Sequence, residues 1–321
     1  MKNKKGSWIL NTILILLIVV VFLIAGYFLY LNIPGSPENL KAIIEPPKLE
    51  VENLSSEVKQ FYPSMKFNHN SISYNIDSAC TDEKTDRMIE AFNELENKIE
   101  VLAFYSVSEN PDIEVSCSDI EKHSIDEDYF IAGEGGAKEI IQTERYNVIT
   151  QGVILLHSNP KRSRECEWPN IELHELLHVF GFDHSADENS LMYPYLESCE
   201  QKLDEAIISD LNKLYSKENL ADLYFEEVIA TKKGRYLDFN ISIKNSGVVS
   251  ASKVVFSVFE DNKNVEDFDL KDITFGAGVN FQVKNLKLNS RNSDNIELRI
   301  DDDDLIKEID EENNIAKLEF S

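Results

Sequence analysis

Residues 174–184 read HELLHVFGFDH, and this stretch decides the fold of the chain around it. In a helix, His174 and His178 lie on one face, one turn apart, because they are four residues apart. Two imidazoles so placed can bind one Zn²⁺ ion at about 2.0–2.1 Å. Gly181 can adopt a positive φ and end the helix, after which the chain reverses and supplies His184 as a third ligand. Three imidazoles leave a coordination position open, as catalysis requires.

Glu175 follows the first of these histidines. Its carboxylate can reach a water molecule at the metal and act as a general base. A protein that only retained a metal site would need the histidines but not this base. Glu175 therefore favours a hydrolase over a surface adhesion or binding protein with a residual metal site, which is the competing hypothesis.

A second motif follows the third histidine. Residues 191–194 read LMYP, with Met192 eight residues after His184. Together the two motifs resemble the metzincin metallopeptidases, in which such a methionine forms a hydrophobic floor beneath the zinc ligands. The stretch from 174 to 194 is most similar to the matrixin branch, which has a serine after the third histidine and the same Leu-Met-Tyr-Pro turn.

This resemblance extends over residues 171–215 and implies a zinc endopeptidase with an α+β catalytic domain. By analogy with matrixins, Tyr193, Pro194 and Tyr195 would form a wall of the substrate pocket, the alternative for the tyrosines being simple packing. Pro194 also stands where some other metzincins have a metal-coordinating tyrosine. No Pro-Arg-Cys-Gly segment and no calcium-binding segment is recognisable, so latency and calcium dependence stay open.

The N-terminus predicts a membrane anchor. Residues 8–31 are almost wholly apolar and would span about 35 Å as a helix, enough for a hydrocarbon core of about 30 Å. Residues 1–7 carry three lysines and form the predicted cytoplasmic tail, which places the rest of the chain outside. The alternative is a cleaved signal peptide, although Ala25-Gly26 is a poor cleavage site.

Four prolines among charged residues predict an extended stalk at 32–60, followed by the metallopeptidase domain at 61–217. Apolar spacing in this domain predicts three helices and four strands. The helices are 86–103, 171–180 and 203–215, and the strands are 72–76, 113–117, 129–132 and 153–157. The glycines at 133, 135 and 136 indicate a loop. Strand 153–157 is either an edge that pairs with substrate or an interior strand, and His157 is predicted not to be a ligand.

Residues 222–321 show short alternating strands at regular spacing, which predicts an all-β immunoglobulin-like sandwich. Asn245-Ser-Gly247 and the segment 306–314 resemble the CARDB domains of prokaryotic surface proteins. That resemblance implies a surface or spacer role and a possible surface partner, since fold alone does not specify function.

Cys80, Cys117, Cys166 and Cys199 all follow the predicted anchor, and an oxidising compartment permits disulfides. Three pairings are possible. We predict Cys166–Cys199, which would tie the start of the zinc helix to the end of the methionine turn, and therefore Cys80–Cys117. Four free thiols are expected instead if the topology is inverted.

The length and charge of the chain limit its domain count and the partners that it can bind. The chain has 321 residues, 42% of them hydrophobic, and a formal net charge of −26. Two domains of roughly 100–200 residues fit this length, and a disordered chain is excluded. Nucleic-acid binding is not expected, because phosphate contacts need clusters of Lys and Arg. The expected partners are a protein or peptide substrate, the membrane and one catalytic Zn²⁺.

Overall fold

The computed structural model describes residues 4–48, 58–123, 130–158, 166, 168–196 and 198–320. The first residues of the predicted cytoplasmic tail, residues 49–57 of the predicted stalk, and Tyr129 of a predicted strand lie outside the described residues. Two separate hydrophobic cores divide the described chain into an α+β domain, residues 58–216, and a β domain, residues 217–320 joined by a strand from the N-terminal segment.

Helix α1, Lys4–Asn32, precedes both domains. Its segment Leu10–Asn32 has a mean hydropathy of 3.0 and is long and apolar enough to cross a membrane. A signal sequence near the N-terminus would meet the same criterion of length and composition. Apart from half-buried Leu31, the apolar side chains described along the helix are exposed, so the described residues of the two domains do not cover them.

The described residues of the α+β domain form three helices and seven strands. In chain order these elements are β2 Met65–Phe67, β3 Ser71–Ile76, α2 Asp82–Lys98, β4 Ala103–Ser106, β5 Ile113–His123, β6 Phe130–Ile131, β7 Gly133–Gln142, β8 Asn147–Ser158, α3 Asn170–Val179 and α4 Glu205–Tyr215. They follow strand β1, Pro37–Ile43, which belongs to the other domain.

Helix α2 begins and ends earlier than the predicted 86–103. The hydroxyl of Thr81 accepts from the backbone N–H of Lys84 and caps the helix, one turn before the predicted start. Ile99 and Leu102 are buried although the helix ends at Lys98. Their burial continues the apolar pattern past the helix, which is why the periodicity predicted a later end.

Strand β8 lies inside the sheet. It pairs in parallel with β2 and β5 and, on its other side, antiparallel with β7. The segment 153–157 is therefore an interior strand, and the edge-strand alternative for it is wrong. The loop predicted at the glycines 133, 135 and 136 is also wrong, because these residues form the start of β7. Within the described residues β7 pairs only with β8, so no described strand pairs with its other edge.

The β domain is built from antiparallel strands. These are β9 Leu223–Lys233, β10 Tyr236–Asn245, β11 Ala251–Glu260, β12 Lys263–Ile273, β13 Gly278–Lys287, β14 Ile296–Ile300 and β15 Ile315–Phe320. Their spatial order, with β1 included, is β12-β11-β14-β15-β1-β9-β10-β13. Rings of Phe268 on β12 and Phe281 on β13 are 5.2 Å apart, so the sheet folds over and its two ends share one core.

Strand β1 differs from the prediction in two respects: its residues do not belong to a stalk, and it joins the two sheets of the predicted sandwich. Residues 37–43 were expected in a stalk, but they pair with β9 on one side and β15 on the other. Without β1 the order would separate into a four-stranded and a three-stranded sheet, as the predicted sandwich requires. With β1 in place, hydrogen bonds run continuously through eight strands. An extended, proline-flanked segment is compatible with both a stalk and a strand, and only the partners distinguish them.

The two domains meet at the turn between β7 and β8. Arg145 in this turn donates from Nε to Asp222 Oδ2 at 2.7 Å, and their side chains are 5% and 0% exposed. Thr143 Oγ1 donates to the backbone oxygen of Ser246 at 2.8 Å. The β domain therefore binds the end of β7 that lies farthest from its glycines.

We expect Arg145→Ala to lower the free energy of unfolding by about 3–5 kcal/mol, because it leaves the Asp222 carboxylate buried without its cation. Lys138→Ala is the matched control, since the pair of Lys138 with Glu114 is about half exposed and should contribute about 1 kcal/mol or less. Urea unfolding of the two variants measures the difference. Equal effects would show that the Arg145–Asp222 pair is not the main contact of this junction.

Candidate metal centre and active site

Helix α3 and the turn after it bring three imidazoles together. His174 Nε2 is 3.0 Å from His178 Nε2, which is 3.3 Å from His184 Nε2. Ligand atoms of all three residues lie within 4.8 Å of one another. Gly181 has φ of +87°, and a Cβ there would lie 2.4 Å from the sulfur of Met65. The predicted glycine turn thus delivers the third histidine.

Backbone carbonyls orient the two helical imidazoles. His174 Nδ1 lies 2.7 Å from the oxygen of Leu191, and His178 Nδ1 lies 2.7 Å from the oxygen of Phe182. A carbonyl oxygen only accepts, so each Nδ1 carries the proton and each Nε2 presents a lone pair. This arrangement selects the tautomer that binds a metal through Nε2.

Burial keeps the imidazoles neutral. Desolvation lowers the pKa of His174 to about 3 and also lowers the pKa values of His178 and His184. Neutral imidazole is the form that binds a metal. In a tetrahedral site with bonds of about 2.0–2.1 Å, ligand nitrogens are about 3.3 Å apart, close to the two separations seen here. The three residues therefore fit a Zn²⁺ ion.

The turn around Met192 joins this centre to the next loop. Leu191 supplies the carbonyl that orients His174, and the oxygen of Met192 accepts from the N–H of Ser185, directly after His184. Met192 is fully buried in the core that also contains α3. The turn thus supports both the first and the third histidine.

The tentative pocket residues lie just beyond this turn. Rings of Tyr193 and Tyr195 are 5.8 Å apart with their planes at 66°, and Tyr195 is 39% exposed. Pro194 between them is exposed. Mutual packing explains the ring pair, and the exposure leaves these residues accessible to a ligand, so both alternatives for the tyrosines remain open.

Strand β7 packs directly on the helix at Glu175. The N–H of Gly135 donates to the Glu175 carboxylate. A Cβ on Gly133 would lie 2.6 Å from Glu175 Cγ, and one on Gly135 would lie 2.1 Å from the Glu175 backbone oxygen. Burial, assisted by the charges of Glu134 and Glu172, raises the pKa of Glu175 to about 8. A base is most effective with a pKa near the working pH.

We expect Gly135→Ala to destabilise the protein by about 1–3 kcal/mol, because the new methyl group has no space between β7 and α3. The same change at Gly136 is a matched control, since a Cβ there meets nothing within 4 Å. Thermal unfolding and peptide cleavage of both variants check this. The contact is unimportant if Gly135→Ala behaves like Gly136→Ala in both measurements.

Two disulfides are present, and their pairing agrees with the prediction. They are Cys80–Cys117 and Cys166–Cys199. Cys166 precedes α3 and Cys199 follows the Met192 turn, and the indole N–H of Trp168 donates to the oxygen of Cys199 at 3.3 Å. Arg87 of α2 donates to the oxygens of Cys166 and Trp168 at 3.2 and 2.8 Å. The bridge thus fastens the start of α3 to the segment after the Met192 turn.

We expect replacement of Cys166 and Cys199 by serine to lower stability by about 3–4 kcal/mol, as the chain-entropy model gives for a loop of this size. The two cysteines are 33 residues apart. Unfolding in non-reducing buffer measures the loss, and reductant should then have a smaller further effect than on the unmodified protein. A variant as stable as the parent would contradict a structural role for this bridge.

His157 is not one of the three histidines that converge. Its Nε2 lies 2.8 Å from the Oε2 of Glu134, the residue between Gly133 and Gly135 in β7. This agrees with the prediction that it is not a ligand.

Sequence reasoning missed the roles of Gly133 and Gly135 in the site. A signal for them was present in the sequence, the alternation of glycine with Glu134. That alternation is compatible with a strand as well as a loop.

Comparison with known families divides the chain in the same way. Residues 66–216 match the matrixin family model, and residues 220–317 match the CARDB model. The first match contains the three histidines, and the second contains β9–β14 but not β1. A matrixin domain indicates a zinc metallopeptidase, and a CARDB domain indicates a cell-surface protein.

Solved structures resemble the β domain. A domain of a cell surface protein from Methanosarcina acetivorans is 15% identical, with 32% of this chain and 92% of that chain covered and a TM-score of 0.27. The CARDB domain of a Pyrococcus furiosus protein is 12% identical, with 32% and 95% covered and a TM-score of 0.28. No curated protein is significantly similar to the chain.

Proposed function

We propose that the protein is a membrane-anchored zinc endopeptidase of metzincin type that acts outside the cytoplasm. One observation carries the proposal. Ligand atoms of three imidazoles converge at the end of α3, two of the rings are held by carbonyls on Nδ1, and the buried residue Glu175 follows the first of these histidines on the same helix. The disulfides support the compartment, because such bonds persist where conditions are oxidising. Helix α1 supplies the anchor.

His174, His178 and His184 would hold the Zn²⁺ ion. When bound, zinc would supply Lewis-acid polarisation of the scissile carbonyl and make a water molecule more acidic. Glu175 Oε accepts a proton from the attacking water and later donates it to the leaving amine, while the N–H of Gly135 holds the carboxylate in place. Glu175 is a proton carrier and not a ligand.

The edge of β7 that faces away from β8 is the proposed binding surface for the substrate backbone. An extended peptide can add to an unpaired edge by forming main-chain hydrogen bonds. Strand β7 contacts Glu175 through its glycines, so a peptide paired with it passes the base. Tyr193, Pro194 and Tyr195 would then line the pocket for a side chain of the substrate.

The competing function is a cell-surface binding protein with a residual metal site, and the CARDB match favours it. Zinc analysis and a peptide library, both applied to the detergent-solubilised full chain, separate the two. The full chain is needed because a fragment that starts at residue 60 would lack β1. We expect about one zinc per chain, and cleavage that a chelator abolishes and zinc restores. A zinc-loaded protein that cleaves no peptide would favour the binding protein.

A further inference from the structure

The β domain caps the end of the apolar helix. Arg291 Nη1 donates to the backbone oxygens of Tyr30 and Ile33, both at 2.7 Å. Tyr236 donates its hydroxyl proton to the oxygen of Asn32 at 3.2 Å. The last carbonyls of a helix lack partners within the helix, and a cation there also complements the helix dipole. The helix is therefore held by specific contacts with the β domain.

The connection between helix and domain is short and close. Residues 33–36 alone separate the end of α1 from β1. Gly35 lies against Gly234, where a Cβ would come within 2.9 Å of the Gly234 nitrogen. We name the turn 233–235 and the loop 289–293 the membrane-facing end of the β domain, because the anchor helix ends against them.

The α+β domain is attached at the opposite end of the same strands. Strand β9 begins at Leu223, beside the Asp222 that binds Arg145, and ends at Lys233 in the membrane-facing end. Eleven residues of strand span about 36 Å at about 3.3 Å each. Strand β1 leads away from the anchor, and the oxygen of Lys48 accepts from Arg145 at 2.6 Å. Strands β9 and β1 therefore both connect the membrane-facing end of the β domain to the end that binds the α+β domain.

The described residues of this connection are held in place by contacts. Strand β1 is hydrogen-bonded on both edges, and the junction with the α+β domain contains the buried Arg145–Asp222 pair. We propose that the β domain is a rigid spacer that holds the active site about one strand length above the membrane. The substrates would then be proteins attached to the same membrane, cleaved in a segment about 36 Å or more from the bilayer. The substrate part of this proposal rests on the proposed peptidase function.

The test uses the full chain in phosphatidylcholine vesicles with model substrates in the same bilayer. Each substrate has one membrane span, a helical spacer of about 10, 24 or 40 residues, which is about 15, 36 or 60 Å long, and a peptide selected from the library with the full chain. We expect cleavage to be about tenfold or more slower with the shortest spacer, because tethered reaction requires matched geometry. Rates that do not depend on spacer length would overturn the proposal.

A matched variant carries a flexible Gly/Ser insertion between Ser36 and Pro37 together with Arg291→Ala and Tyr236→Phe. It keeps β1 but removes both the short connection and the side-chain contacts that hold the end of α1. This variant should cleave the short-spacer substrate nearly as fast as the long one. Cleavage of the same peptide free in the vesicle solution should be equal for both enzymes. If these changes leave the spacer dependence unchanged, the rigid connection is not its cause.

A measurement of height separates this inference from the peptidase function. A fluorophore is placed at exposed Asn292, beside Arg291, or at exposed Glu188, beside the metal centre, and energy transfer to labelled lipid headgroups is recorded. We expect strong transfer from position 292 and several-fold weaker transfer from position 188. Equal transfer would overturn the spacer even in an active enzyme, and unequal transfer would support it even in an inactive one.

Discussion

Replacement of Glu175 by glutamine is expected to lower peptide cleavage by about 10²–10⁴-fold while zinc stays bound. The amide keeps the shape of the side chain but cannot take a proton from water. The carboxylate is not among the three residues whose ligand atoms converge, so the metal site should survive. Initial rates and zinc content of the purified variant measure both parts of this expectation.

Glu188→Gln is the control for this change. Glu188 is an exposed carboxylate in the loop after His184, so its loss changes the charge near the centre without removing a base. Its activity should stay within a few-fold of the parent. If Glu175→Gln were equally active, the proposed proton transfer would be wrong. If it lost its zinc, Glu175 would have to be reassigned as a metal ligand.

Replacement of His178 by alanine should abolish both stoichiometric zinc binding and cleavage. Its Nε2 lies between those of the other two histidines, at 3.0 and 3.3 Å, so its loss removes the central ligand. Two imidazoles alone do not complete a protein zinc site. Elemental analysis after dialysis against a weak chelator, together with the cleavage assay, reports the loss.

His157→Ala is the matched control, because His157 is also a buried histidine with a hydrogen-bonded Nε2. It should keep its full zinc content, although the loss of the contact with Glu134 is expected to cost some stability. Full zinc in His178→Ala would refute the assignment of the centre. Loss of zinc in His157→Ala alone would place the metal at His157 and Glu134 instead.

Local patterns were enough to predict the cluster of three histidines. Four-residue spacing placed His174 and His178 on one helical face, and Gly181 predicted the turn that brings His184 to them. These features depend on residues close in the chain, whose relative positions follow from helix geometry and from the φ freedom of glycine. The length of the apolar run in α1 and the alternation of apolar and polar residues along the strands of the β domain also depend only on residues close in the chain.

The partners of strands were not predictable in this way. Residues 37–43 form a strand of the β domain, and the glycines of β7 form an edge strand on Glu175, although both segments were expected to lack such partners. Backbone hydrogen bonds between strands use N–H and C=O groups that every residue except proline carries. The side chains of an extended segment therefore do not reveal its partner. The place of β1 between β9 and β15, and of β7 on the metal-binding helix, follows only from the packing of the whole chain.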